Sequence, residues 1–302
     1  MTMENVVSSS RPRIAAAPIS WGQCEILGWG HQMSSERVLT EMRALGIRAT
    51  EAGPDGFLQH DPGELRGLLA AYDLRLVGGY TPLVLHGGER GWRAELDGVA
   101  RRFGAAGAEV IVLAAATGLG NYDVRPELSG EDWTRFLSAL DSARDLAADH
   151  GVELALHPHV GTMVESPEDI NRVLDGSSVA LCLDTGHIML GGGDPVAIAE
   201  QAPGRIAHLH LKDVHAGLAA RVAAGELTFS QAVRAGVFRP LCDGDVDLPS
   251  ILGSVRRAGY DGWYVMEQDA MLAGEPAPDA GPQSDVARSV DYLRGALAEV
   301  AA

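Results

Sequence analysis

The feature that most constrains this fold is an alternation. Apolar runs too short for helices are each followed by a stretch with apolar residues at helical spacing, and the pair recurs about eight times in 302 residues. The runs at residues 14–18, 47–51, 74–79, 109–114, 152–156, 179–183, 206–211 and 262–266 read as strands. Helical patterns follow at about 34–46, 64–72, 92–103, 133–146, 167–174, 195–201, 248–258 and 286–297. Strands joined through helices lie parallel, and a parallel sheet is covered on both faces, so its strands are apolar throughout. Eight such units, with no break that divides the chain, predict a single (β/α)8 TIM barrel rather than an open sheet. The barrel domain is expected over residues 13–302, after a flexible tail at 1–12. One unit is irregular: residues 215–247 form a long insertion between the seventh strand and its helix, with helical pattern near 218–235. Long loops on the C-terminal face of a barrel tend to be functional, so this one reads as a lid or a wall of the site.

Charge removes several partners. With 24 Lys and Arg against 41 Asp and Glu, the formal net charge is −17. Such a surface repels nucleic-acid phosphates and anionic membranes, so neither is an expected partner. A small neutral substrate is unaffected. The three cysteines, Cys24, Cys182 and Cys242, cannot all pair within one chain and form no CxxC. A reduced, cytoplasmic protein is expected, with Cys182 as a small buried apolar residue. No apolar run approaches the ~20 residues of a membrane span, and the N-terminus lacks the apolar core of a secretory signal.

In a barrel the C-terminal strand ends converge on one mouth. Here those ends carry Glu51, His157 and His159, Asp184 and His187, His210 and Lys212, and Glu267. Any one of them could be an ordinary hydrogen-bonded residue. Together they would bury repelling carboxylates unless a cation offset them. Carboxylate with imidazole and no thiolate suits Mn²⁺, Co²⁺ or Zn²⁺ better than Ca²⁺. Side chains alternate along a strand, so His208 and His210 share a side, as do His157 and His159. His210 is nearer the mouth and is the better ligand, with His208 one layer deeper. Lys212 reads either as a charge for a developing oxyanion or as a salt-bridge partner of Asp213 or Asp184. Glu51 reads as a binder of substrate hydroxyls or as a partner of Arg48. Trp21, Trp29 and Phe57 read as an apolar wall for a sugar ring or as packing in the upper barrel.

The stretches API-SWG (17–22), ATEAGPDGFL (49–58), HPHVGT (157–162), LDTGH (183–187), GGDP (192–195), HLHLKDV (208–214), CDGDVD (242–247) and GYDGWYVMEQD (259–269) resemble, in this order, the xylose isomerase-like barrel family of sugar isomerases, epimerases and dehydratases. The resemblance spans nearly the whole chain and is nearest to the inosose dehydratase branch. It implies one metal, Mn²⁺ or Co²⁺, held by Asp184, His210 and Glu267. Where the epimerases carry a Glu ligand on the fifth strand, this chain has His157, which the resemblance makes the fourth ligand, with His159 toward substrate. The epimerases move a proton between two metal-bound glutamates on two faces of a sugar. Replacing one by His157 favours chemistry on one face, such as elimination of water from a keto-cyclitol to a diketone. In that reading Glu267 and His187 are the acid–base candidates, Lys212 supports the oxyanion, and Glu51, His159 and Trp21 contact substrate. Isomerisation or epimerisation, β-elimination from keto-sugar conjugates and a metal-free sugar-binding protein are the competing readings. A homodimer is an expectation by resemblance.

Overall fold

The computed structural model describes residues 12–87, 89–119 and 121–300, so the expected tail lies outside the described residues except for Pro12. The barrel strands are β1 (Arg13–Ala16), β2 (Ala49–Glu51), β3 (Arg75–Leu83), β4 (Val110–Ala115), β5 (Glu153–Leu156), β6 (Ala180–Asp184), β7 (Ile206–Leu211) and β10 (Trp263–Met266). They close in the order β1-β10-β7-β6-β5-β4-β3-β2. Each neighbouring pair is parallel. The outer ring includes α1 (Ser35–Ala44), α2 (Pro62–Ala71), α3 (Glu89–Ala106), α4 (Gly130–Ala148), α5 (Pro167–Gly176), α7 (Pro195–Gln201), α10 (Leu248–Arg257) and α11 (Pro282–Glu299). Most start where a side chain satisfies free N–H groups: Ser34, Asp61, Ser129, Ser166, Asp194 and Asp247 all cap their helices. Among the described residues no helix is long and apolar enough to cross a membrane.

Alternation along the strands sorts two layers. Leu154, Leu156, Leu181, Leu183, Leu209 and Leu211 point outward and pack with Phe103, Phe136 and Leu39 against the helices. Ala15, Ala49, Val77, Val112, Ala155, Cys182 and Val265 point inward and fill the barrel. The inward residues are small because eight strands leave little room between them. Continuing the same period of two brings His157, Asp184 and His210 to the inner side at the mouth.

Two of the differences from the expected boundaries bear on the site. The third strand does not stop at Gly79 but continues to Leu83. Its paired glycines are not a turn. A Cβ on Gly78 would lie 2.1 Å from the Val110 carbonyl oxygen, so glycine here admits the neighbouring strand. And no loop separates β6 from the next helix. Instead α6 (Thr185–Leu190) begins directly after Asp184 and carries His187.

The insertion is built around a short antiparallel ribbon, β8 (Asp213–Val214) with β9 (Phe238–Arg239), and two helices, α8 (Ala216–Ala223) and α9 (Phe229–Arg234). Phe229, Val233, Val237 and Phe238 pack with Trp29, Val160 and Leu190 in an apolar cluster of their own. Its end is pinned by one carboxylate. Asp213 accepts from the backbone N–H groups of Val214, Cys242, Gly244 and Val246. The motifs HLHLKDV and CDGDVD are therefore two sides of one contact.

Candidate metal centre and active site

Asp184 is the hub of the mouth. It is fully buried and divides its two oxygens between two tasks. Oδ1 accepts from the N–H groups of Gly186 and His187, at 2.9 and 2.7 Å, and so caps α6. Oδ2 faces the barrel axis, 3.1 Å from His157 Nε2, 3.5 Å from His210 Nδ1 and 2.7 Å from Lys212 Nζ. Gly186 is required by this packing, since a Cβ there would fall 2.6 Å from Lys212 Cβ.

His210 is oriented from behind. Its Nε2 lies 2.9 Å from Glu51 Oε1, the same oxygen that His208 Nε2 approaches at 2.8 Å. With Nε2–H donating to Glu51, Nδ1 turns toward Asp184 Oδ2 and Glu267 Oε2, the latter 2.5 Å away. His210 Nδ1 and Glu267 Oε2 nevertheless make no well-formed hydrogen bond. Three buried donor atoms facing one another without such a bond are the surroundings a cation fits, and their nitrogen–oxygen mixture suits a borderline divalent metal. Asp184, His210 and Glu267 offer ligand atoms within 4.8 Å of one another. His157 is not within that trio. It groups with Asp184 and His187, and separately with Cys182 and His210.

The electrostatics follow from this crowding. Burial would raise the Asp184 carboxyl, but the Lys212 ammonium and the imidazoles hold it well below the usual carboxylate range. Burial opposes Glu267 in the same way, and His210 and Lys212 bring it down to about 2. Burial would lower the His210 ring, yet Cys182, Glu267 and Glu51 hold it well above its usual value. In the metal-free chain a proton therefore serves at His210 as the local positive charge. Asp269 goes the other way. Burial, with repulsion from Glu267 and Asp184, outweighs Lys212 and raises its carboxyl to about 7. It is a carboxylic acid poised near neutrality, the property expected of a proton donor or acceptor.

A cavity of about 560 Å³ opens above this cluster. Glu51, His157, His159, Glu267 and Asp269 form part of its wall, with Tyr80, Tyr122, Trp29 and Phe229 around them. His159 is a neutral acceptor there: its Nδ1 donates to the Val160 carbonyl at 2.6 Å, and burial lowers the ring to about 3. Four expected roles change. Trp21 is not on the wall. It is fully buried in the outer core, with Nε1 donating to Glu41 at 2.7 Å, so the packing alternative describes it. Phe57 is also off the wall, while Trp29 is on it. His187 stands behind His159, ring centroids 3.6 Å apart, with Nε2 3.6 Å from Asp269 Oδ2. Lys212 is likewise enclosed, bound to Asp184, Glu267 at 2.9 Å and Asp269 at 3.4 Å. Both reach the cavity through the carboxylates they touch. Glu51 pairs with two histidines, whereas Arg48 bonds the Ile47 carbonyl.

Sequence reading passed over Asp269, Tyr80, Tyr122 and Phe229. The period of two sets Asp269 beside Glu267, a signal within MEQD that was available. Tyr80 was hidden by ending its strand at Gly79. Tyr122 comes from a loop, where no periodicity marks direction, and Phe229 opens α9, a helix too short for its periodicity to show which face meets the cavity.

Comparisons with known proteins bear on this site. A family model described as a xylose isomerase-like TIM barrel matches residues 39–295. The chain is 35% identical over 269 residues to the rhizopine catabolism protein MocC of Rhizobium meliloti, covering 85% of this chain and 81% of that protein. It is 30% identical over 280 residues to an inosose dehydratase of Geobacillus thermodenitrificans, covering 87% of this chain and 92% of that one. Among solved structures, the IolI protein with a binding zinc atom matches with a TM-score of 0.67 and 15% identity, over 95% of this chain and 99% of that one. At such identity that likeness is one of fold.

Proposed function

The chain belongs to the xylose isomerase-like TIM barrel family, and from that premise we propose that it is a divalent-metal-dependent hydro-lyase acting on a keto-cyclitol. The substrate is 2-keto-myo-inositol (inosose), the product is a diketone, and the step belongs to inositol catabolism. The observation that carries this reading is the 30% identity to an inosose dehydratase across 87% of the chain. An acidic pair on one side of the mouth, Glu267 and Asp269, supports it, since elimination needs a base and an acid within reach of one substrate.

Asp184, His210 and Glu267, with His157 as a fourth donor, would hold the ion, and Mn²⁺ or Co²⁺ suits them, with Zn²⁺ also accommodated. When bound, a divalent cation supplies Lewis-acid polarisation of a ketone oxygen. The chain's own groups do the rest. Glu267, ionised, is the base that takes the proton α to the ketone. Asp269, whose carboxyl burial and neighbouring carboxylates raise above the usual range, gives its proton to the departing β-hydroxyl, which leaves as water. The enol left behind tautomerises to the diketone. Lys212 keeps the Glu267 carboxylate in place and offsets charge that develops near it. His159 and Glu51 accept from ring hydroxyls, and His187 steadies Asp269. A reduced, cytoplasmic setting fits the free thiols of Cys24, Cys182 and Cys242.

The test is turnover of inosose by the metal-replete protein, followed by ultraviolet absorbance of the diketone. Loss of activity on chelation and its return with Mn²⁺ are expected. Interconversion of inososes or ketohexoses without loss of water would replace this reading with isomerisation or epimerisation.

A further inference from the structure

The cavity wall carries a hydrogen-bonded chain that the chemistry above does not use. Tyr80 Oη and Tyr122 Oη are 2.7 Å apart, and Tyr122 Oη donates to Glu25 Oε1. All three residues line the cavity. The two rings lie against the site histidines: Tyr122 is 4.5 Å from His159, centroid to centroid, and Tyr80 is 5.9 Å from His157. The second oxygen of Glu25 faces the Cys24 thiol at 3.7 Å.

The direction of this chain is set at its far end. A carboxylate can only accept, so the single hydroxyl proton of Tyr122 goes to Glu25. The Tyr122 oxygen must then accept from Tyr80, which uses the only proton Tyr80 has. What remains on the Tyr80 hydroxyl is lone pairs. We propose that Glu25, through Tyr122, makes Tyr80 an obligate acceptor that selects a ring hydroxyl of the substrate and rejects its ether. Tyr80 is the substrate-binding residue, and Glu25 and Tyr122 are positioning residues. The specificity belongs to the keto-cyclitol reading, but the selection itself needs only a polyhydroxylated ring in the cavity.

The contrast is one of proton supply. A ring hydroxyl both donates and accepts, whereas an O-methyl ether only accepts and a deoxy carbon does neither. An ether facing Tyr80 sets two acceptors against each other, and a site built for a hydroxyl discriminates strongly when the group is missing. Glu25→Gln supplies an amide that can donate. The Tyr122 oxygen can then accept from Gln, its proton can pass to the Tyr80 oxygen, and the Tyr80 proton is freed toward the cavity. The ether gains a partner, the hydroxyl keeps one, and the deoxy analogue gains nothing.

The experiment measures calorimetric binding of myo-inositol, its mono-O-methyl ethers and its monodeoxy analogues to the metal-replete protein. In parallel, kcat/KM is measured on 2-keto-myo-inositol. In the wild type, one ring position should show hydroxyl-over-ether preference of about 100-fold. Glu25→Gln should reduce that ratio to about tenfold or less by tightening the ether, with the parent within about threefold and the deoxy analogue still weak. Tyr80→Phe should remove the preference by weakening the parent. A folded Glu25→Gln protein whose ether ratios all match wild type would overturn the inference, as would the absence of cyclitol binding by wild type. Absence of keto-inositol turnover with a responsive binding ratio would sink the dehydratase reading and leave this one standing.

Discussion

Asp269 concentrates the proton chemistry. Its carboxyl titrates near 7 in the folded chain against an ordinary 3.8. As the acid of the reaction it must be protonated, so activity should fall on the alkaline side as this carboxyl loses its proton. Asp269→Asn should lower kcat by about 10²- to 10⁴-fold and abolish that limb, a change read from the pH–rate profile. The same shift acts on stability. Folding favours the protonated acid, so the stability this group contributes is complete below pH 3.8 and lost as pH climbs through about 7. In the metal-free protein the unfolding free energy of Asp269→Asn should therefore improve relative to wild type across that window. A difference that stays flat would mean the raised carboxyl is not Asp269. Trp21 makes the opposite case. Trp21→Phe leaves the buried Glu41 carboxylate with one donor fewer, so about 1–3 kcal/mol of stability should be lost while KM stays unchanged.

The insertion is the element whose sequence said least and whose position says most. Residue 229 carries an aromatic ring into the cavity wall, 5.8 Å from His159 and 5.6 Å from His187 between centroids. Phe229→Ala should raise KM for the keto-cyclitol at least tenfold, with a smaller change in kcat. It removes a wall and not a proton-transfer group. Asp213 holds the element from below through its four backbone N–H partners. Asp213→Ala should make residues 215–247 cleave faster in limited proteolysis while the barrel's circular dichroism is retained. Equal cleavage rates would show that the apolar cluster of Phe229, Val237 and Phe238 suffices to seat it. A second lesson at this scale comes from α6. The carboxylate that ends β6 also caps the helix, so strand, site oxygen and His187 are positioned by one side chain.

Across the whole molecule, metal binding and protonation should be linked. The carboxylates of β2, β6 and the β10 end converge on His210, and in the metal-free chain they hold its ring toward the protonated form. A cation that takes Nδ1 must displace that proton, so affinity for Mn²⁺ should weaken as pH falls. A slope of roughly tenfold per pH unit is expected where one proton is released. Calorimetry in buffers of different ionisation enthalpy counts the protons. An affinity independent of pH would place the ion away from His210.

The barrel was legible in the sequence because alternation is a one-dimensional signal. Parallel strands buried on both faces are continuous apolar runs, and the stripes between them repeat at helical spacing, so order and type of the elements could be read from the residues. The site was partly legible for the same reason: His157, Asp184, His210 and Glu267 stand at strand ends, and the topology of any barrel gathers such ends. Direction and environment were not legible. Nothing local says that Trp21 turns outward to Glu41, that Lys212 is enclosed by three carboxylates, or that β3 runs on through its glycines to deliver Tyr80. The raised carboxyl of Asp269 is likewise absent from the string MEQD, because it comes from burial and from charges on β6 and β10 that only the closed sheet brings together. Sequence determined which groups reach the mouth. Tertiary structure decided which of them face the cavity, and with how many protons, because burial and repulsion depend on distances between strands and not along them.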